Sequence, residues 1–152
     1  MATLLEELSQ IISALDAGGI EYAVCGGLAL AIHGLARATL DIDILIQPES
    51  LEKAYKVGAE SGFDIRGLDI SFKERAVEIR RVSKIDDEGE VLSLDLLLVT
   101  PQVQDVWETR EKIDFLGNRL SVVSRDGLIK MKTLAGRPQD LADISRLENE
   151  ES

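Results

Sequence analysis

Asp41 and Asp43 stand two positions apart inside an otherwise apolar run, Thr39-Leu40-Asp41-Ile42-Asp43-Ile44-Leu45-Ile46. Aliphatic and β-branched residues alternate with the acids, which predicts a strand. A strand repeats every two residues, so both carboxylates lie on one face. Aspartate is a poor strand former, and two like charges this close oppose each other's ionisation. A divalent cation that prefers carboxylate oxygens, such as Mg²⁺, would offset both costs. A third acid has the same setting: Asp95 is alone in Ser93-Leu94-Asp95-Leu96-Leu97-Leu98-Val99. Upstream, Gly26-Gly27 lies between a predicted strand and a predicted helix, where bare backbone can approach a phosphate and the helix start offers free N–H groups. Each feature alone has a plain explanation, a tight turn for the glycines and an exposed or ion-paired face for the acids. Together, three carboxylates on neighbouring strands facing a phosphate-binding helix end describe a two-metal site for phosphoryl transfer.

The elements that must hold these groups follow from periodicity. Leu4, Leu5, Leu8, Ile11, Ile12 and Leu15 share one face of a helix over residues 3–17, with Thr3 as its cap and Gly18-Gly19 as its end. A short buried strand is predicted over 20–25, and a helix from Leu28 to His33, ended near Gly34. The acid-bearing strand covers 41–46, and Pro48-Glu49-Ser50 opens a helix over 51–61. Residues 64–71 carry little signal. A hairpin is predicted from 76–85 and 90–99 around Asp86-Asp87-Glu88-Gly89, and a second over 112–123 around Gly117-Asn118. A short helix bearing Trp107 separates them. Ser124 caps a helix over 125–135, and Arg137-Pro138 divides it from a last helix through Leu147. Residues 1–152 thus read as one α+β (α/β) domain, a mixed β-sheet with flanking helices.

The bulk properties narrow the function classes. The chain has 152 residues, 45% of them hydrophobic, and a formal net charge of −11. That length suits a single core. The acidity opposes broad, sequence-independent binding to nucleic-acid phosphates, while leaving room for a local basic site. Cys25 is the single cysteine, which fits a reducing compartment. Met1 to Glu7 lacks the basic start and apolar core of a signal peptide, and no apolar stretch would span a bilayer, so a cytoplasmic protein is expected.

The segment Val24-Cys25-Gly26-Gly27 … Arg37-Ala38-Thr39-Leu40-Asp41-Ile42-Asp43-Ile44 resembles the signature of the DNA polymerase β-like nucleotidyltransferase superfamily. Gly26-Gly27-Leu28-Ala29, His33-Gly34, Arg37, Thr39 and Asp41-Ile42-Asp43 resemble its minimal, AbiEii-like group. The run Leu128 to Ile144, with Lys132, Arg137 and Gln139-Asp140-Leu141-Ala142-Asp143, adds to the likeness. The resemblance implies a nucleotidyltransferase fold and Mg²⁺-dependent transfer of NMP from an NTP such as ATP to a hydroxyl, with Mn²⁺ as the substitute metal. It implies Asp41, Asp43 and Asp95 as metal ligands and catalytic residues, and Gly26 and Gly27 as triphosphate contacts. Many superfamily members carry Gly-Ser, whose hydroxyl contacts phosphate; Gly27 has only backbone to offer. The likeness also suggests a toxin–antitoxin or phage-defence setting, an RNA, protein or small-molecule acceptor, and a cognate antitoxin or helical partner protein. The chain that follows Asp95 is too short for the large helical domain of many relatives, so the base pocket would be thin or completed by a partner.

Several residues keep two readings. Arg37 meets either phosphate or the acids. Lys132 is either a solvated helix lysine or, as the resemblance favours, a triphosphate contact. His33 suits capping or packing better than catalysis, and Cys25 suits core filling. Asp140 and Asp143 share a helix face, and pairing with Arg137 explains them better than a second metal site. Trp107 belongs to the core or an interface. A competing reading of the whole chain is a nucleotide-binding or partner-regulating module of the same fold without turnover.

Overall fold

A computed structural model describes residues 3–35 and 41–149, with the backbone alone at Phe72. Arg37 and Thr39, singled out above, lie outside the described residues.

Helix α1 (Leu4–Ala17) opens with a full capping box: Thr3 accepts from the Glu6 backbone and Glu6 reaches back to the Thr3 N–H. Strand β1 (Ala23–Cys25) is shorter than the predicted 20–25, because Ile20 to Tyr22 do not join a ladder. Helix α2 (Gly26–Ile32) begins at the glycines themselves, two residues earlier than predicted. Strand β2 (Asp41–Ile46) has the predicted bounds. A 3-10 turn at Pro48–Ser50 leads into α3 (Leu51–Glu60). Strands β4 (Val77–Ile85) and β5 (Val91–Leu98) form the first expected hairpin. Strands β6 (Glu111–Phe115) and β7 (Asn118–Val122) form the second, after α4 (Gln104–Glu108). Helices α5 (Arg125–Ala135) and α6 (Pro138–Asn149) close the chain, with Ser124 accepting from Gly127 N–H at the start of α5.

Strand β3 (Ile65–Phe72) is the element the sequence hid. Its pairing to β4 slips between Arg66 and Asp69, a bulge at Gly67-Leu68. Ile65 and Ile70 are five positions apart, out of phase for an unbroken strand; the bulge sets them opposite Ser83 and Ile79 on one face, so the sequence shows no continuous period of two.

Among the described residues, seven strands join one mixed sheet in the order β3-β4-β5-β2-β1-β7-β6. The β2–β5 and β1–β7 pairs are parallel and the others antiparallel. This is the mixed sheet with flanking helices expected from sequence. Ile42 and Ile44 on β2, Leu94 and Leu96 on β5 and Val82 on β4 share one face and are at most 1% exposed. Helix α3 lies on that face, where Gly58 approaches the Leu94 and Val82 side chains. Burying each such aliphatic side chain contributes about 1.5–3 kcal/mol. That dry face holds the sheet rigid, which leaves the opposite face free to carry polar groups. Among the described residues no helix is long and apolar enough to cross a membrane.

Candidate active site

On the opposite face the alternation that buries Ile42 and Ile44 turns Asp41, Asp43 and Leu45 the other way. The parallel register sets Asp43 beside Asp95 and Asp41 beside Ser93. Cys25 of β1 pairs with Asp43 from the other side, and Arg81 of β4 pairs with Asp95. The row Arg81–Asp95–Asp43–Cys25 therefore crosses four strands. The three predicted acids converge on a cavity of about 1120 Å³ that Gly26, Gly27 and Lys132 also line.

Gly26 is fitted to this row. Its φ is +66°, and a Cβ there would lie 1.9 Å from Asp43 Oδ2. Both the backbone conformation and the contact require glycine. Helix α2 is only seven residues long, so what it presents is a pair of bare backbone units against a carboxylate rather than a long dipole. Residue 27 is buried and has no side chain to offer a ligand.

The acids carry more charge than the pocket comfortably holds. Burial first, then the Asp95 and Asp41 charges and a hydrogen bond with Asp95, push the Asp43 carboxyl up to about 7, with Lys132 opposing them. Asp43 and Asp95 share a hydrogen bond, and a bound cation would relieve the same repulsion. Asp95, 5% exposed, is gripped by Arg81 through a two-pronged contact, Nε to Oδ1 at 2.7 Å and Nη2 to Oδ2 at 2.9 Å. That fork holds the guanidinium charge well above its ordinary range. Burial also pushes the Cys25 thiol up, with the Asp43 charge adding to it, so the sulfur stays a protonated core group.

The donor set suits a hard divalent cation. The oxygens are carboxylate, and the charge they concentrate adds to the burial that raises the Asp43 carboxyl. Among the described residues no group of three or more His, Cys, Asp or Glu side chains is drawn together closely enough to hold a metal ion as they stand. Arg81 takes both Asp95 oxygens.

The opposite wall comes from α5 and α6. Lys132 is 7% exposed, which removes the solvated reading, and it donates to Asp143 at 3.0 Å with Asp140 at 3.7 Å. Arg137 pairs with Asp140 through its side chain at 2.7 Å and its backbone N–H at 3.1 Å. Burial alone would push the Asp140 carboxyl up, but those Arg137 bonds hold it below its usual value. His33 lies outside the cavity and donates from Nε2 to the Val123 carbonyl at 2.9 Å, which ties the end of α2 to the strand beside it. Trp107 is in the core, with Arg110 stacked 3.9 Å from its ring.

Arg81 is the site residue that sequence reasoning missed. The signal was present: the Asp86–Gly89 turn fixes the hairpin register, and that register sets Arg81 opposite Asp95.

No family model matches the chain, and no curated protein matches it in sequence. Solved structures do share its fold. A Thermotoga maritima protein provisionally assigned as a nucleotidyltransferase aligns over 96% of this chain and 92% of its own, at 17% identity and a TM-score of 0.69. The lincosamide antibiotic adenylyltransferase LnuA, with lincomycin bound, aligns over 94% and 95% at 15% identity and a TM-score of 0.63. ANT(2'')-Ia, in complex with adenylyl-2''-tobramycin, aligns over 96% and 87% at 16% identity and a TM-score of 0.64. The chain has the nucleotidyltransferase fold.

Proposed function

We infer that this protein transfers a nucleoside monophosphate from an NTP to a hydroxyl group. The observation that carries the reading is the Asp43–Asp95 pair beside Gly26, in a fold whose neighbours include an adenylyltransferase. Two acids held in register at the cost of a retained proton, against a glycine that leaves no room for a side chain, form an arrangement with no use in stability alone.

Asp41, Asp43 and Asp95 would hold Mg²⁺, with Asp95 exchanging its Arg81 contact for the ion. When bound, the ion would supply positive charge against the triphosphate and lower the pKa of the attacking hydroxyl. The chain's own groups account for the rest. The Gly26 and Gly27 backbone receives the phosphates, because no side chain separates them from the cavity. Released from Asp95, Arg81 offers a two-pronged donor to a phosphate oxygen. The acceptor oxygen bonds to the α-phosphorus, the bond to the bridging oxygen of pyrophosphate breaks, and the hydroxyl proton passes to Asp95. Lys132 and Arg137 on the facing wall contribute positive charge as pyrophosphate leaves.

We place the chain near the AbiEii-like group on its Gly26-Gly27 and Asp41-Ile42-Asp43 wording, with a toxin–antitoxin or phage-defence role as the corresponding setting. A growth defect on expression, relieved by a neighbouring gene, is the outcome that supports this role; growth without defect opposes it. The enzymatic reading is tested by pyrophosphate release with each NTP and Mg²⁺. Asp43→Asn is expected to lose at least about a hundredfold in rate while keeping its circular dichroism. Full activity in that variant overturns the assignment. The Arg81 fork favours one second reading, a nucleotide-binding module in which Asp95 is permanently occupied. Binding of ATP and Mg²⁺ without pyrophosphate release, for the parent and for Arg81→Gln alike, is its signature.

A further inference from the structure

The cavity extends beyond what a triphosphate needs, and its outer part is apolar. Two residues along the strands from the carboxylate row, about 7 Å away, lies the row Ile70–Ile79–Leu97–Leu45, crossing β3, β4, β5 and β2. All four side chains line the cavity, and so does Val77. Leu45 is fully buried, yet Val77, Ile79 and Leu97 are half-buried and Ile70 is 37% exposed. Lys73, Glu74 and Arg75, at φ of 54°, 54° and 69°, bring the β3–β4 turn to the corner between α5 and α6, where a Cβ on Gly136 would lie 3.6 Å from Lys73 Nζ. Thr100 Oγ1 anchors that turn by donating to the Ala76 carbonyl at 2.9 Å.

Displacement at phosphorus is in line, so the attacking oxygen enters opposite the leaving pyrophosphate. This step rests on the nucleotidyl-transfer reading. With the phosphates at Gly26-Gly27 beside β1, the sheet order puts β5, β4 and β3 on the entry side. We propose that Ile70, Val77 and Ile79 floor the acceptor subsite, and that the acceptor is a small alcohol with an apolar body and no negative charge. Its hydroxyl oxygen forms the bond to the α-phosphorus while pyrophosphate leaves and Asp95 takes the proton. The apolar floor gains by covering the body of such a molecule. A net charge of −11, with three aspartates in the slot, repels a polyanionic acceptor such as RNA.

The test uses the full chain with labelled Ile, Leu and Val methyl groups, Mg²⁺ and a non-hydrolysable ATP analogue, followed by NMR. Adding 4-phenyl-1-butanol is expected to shift the Ile70, Val77 and Ile79 methyls saturably while leaving the exposed Leu116 and Ile85 unchanged. In steady-state pyrophosphate release with ATP and the same alcohol, Ile70→Asn and Ile79→Asn should each lower kcat/KM roughly tenfold or more. Affinity for the ATP analogue should stay within about twofold. The proposal is overturned if the alcohol leaves the three methyls unmoved, if the ATP analogue alone shifts them (the row then holds the base), or if bulk tRNA shifts them instead. Failure of the underlying reading looks different: the ATP analogue then leaves the Gly26 and Gly27 amides unshifted, and the acceptor subsite falls with it.

Discussion

Replacing Asp43 with asparagine should stabilise the metal-free protein at alkaline pH while removing its activity. An aspartate ordinarily titrates at 3.8, and in the folded chain Asp43 is pushed up to about 7, chiefly by burial and then by its acidic neighbours. The folded state therefore holds this proton more tightly than the unfolded chain does. Below the ordinary value both states are protonated and the stability is fully present. Between the two values only the unfolded chain releases the proton, and stability falls by about 1.36 kcal/mol per pH unit. Above about 7 the loss is complete, at a ceiling of about 4 kcal/mol. An asparagine side chain cannot ionise and can still donate to Asp95, so Asp43→Asn escapes that loss. The assay is thermal unfolding of both proteins in EDTA from pH 4 to 8.5. The melting temperatures should coincide near pH 4 and separate by about 8–16 °C at pH 8, given about 2–4 °C per kcal/mol for a chain of this size. Mg²⁺ at pH 8 should then raise the parent and leave the variant unmoved. A gap that does not change with pH, or a variant less stable than the parent at pH 8, refutes the reasoning.

Three further perturbations separate the roles of the surrounding groups. Arg81→Ala leaves the buried Asp95 without its partner and should cost about 2 kcal/mol in EDTA, since two fifths of the arginine side chain is already in water; Mg²⁺ should restore most of it, read by urea unfolding. Gly26→Ala forces a left-handed alanine, costing about 1–2 kcal/mol, and drives its Cβ into Asp43; calorimetry should show ATP–Mg²⁺ affinity falling more than about tenfold. Lys132→Ala removes the cation between Asp140 and Asp143 and should cost about 3 kcal/mol, whereas Lys132→Met with Asp143→Leu should recover much of it by thermal unfolding.

What could be read from sequence follows the reach of each signal. Asp41 and Asp43 were legible because period-two alternation is local, and β2 carries it without interruption. Asp95 was legible for the same reason, and the adjacency of its strand to β2 came from pairing the acids with Gly26-Gly27. The bulge at Gly67-Leu68 hid β3, and with it the floor of the cavity, because one extra residue reverses the phase of all that follows. Lys132 reads like a solvated helix lysine; only the docking of α6 on α5, which brings Asp140 and Asp143 to it, shows that it is buried. Arg81 needed a register, not a motif.

The two parallel pairings have a consequence for how the chain folds. Val24 must find Val122, and Asp43 must find Asp95, across long stretches of intervening chain. Such closures are entropically slow, so the hairpin of β4 and β5 should form first and the β2–β5 zipper late. The carboxylate row exists only once that zipper has closed in register. A one-residue slip would turn Asp95 into the dry interior and Leu94 or Leu96 toward the cavity. Assembly of the site thus serves as the kinetic proof that the most distant contacts of the sheet have been made correctly.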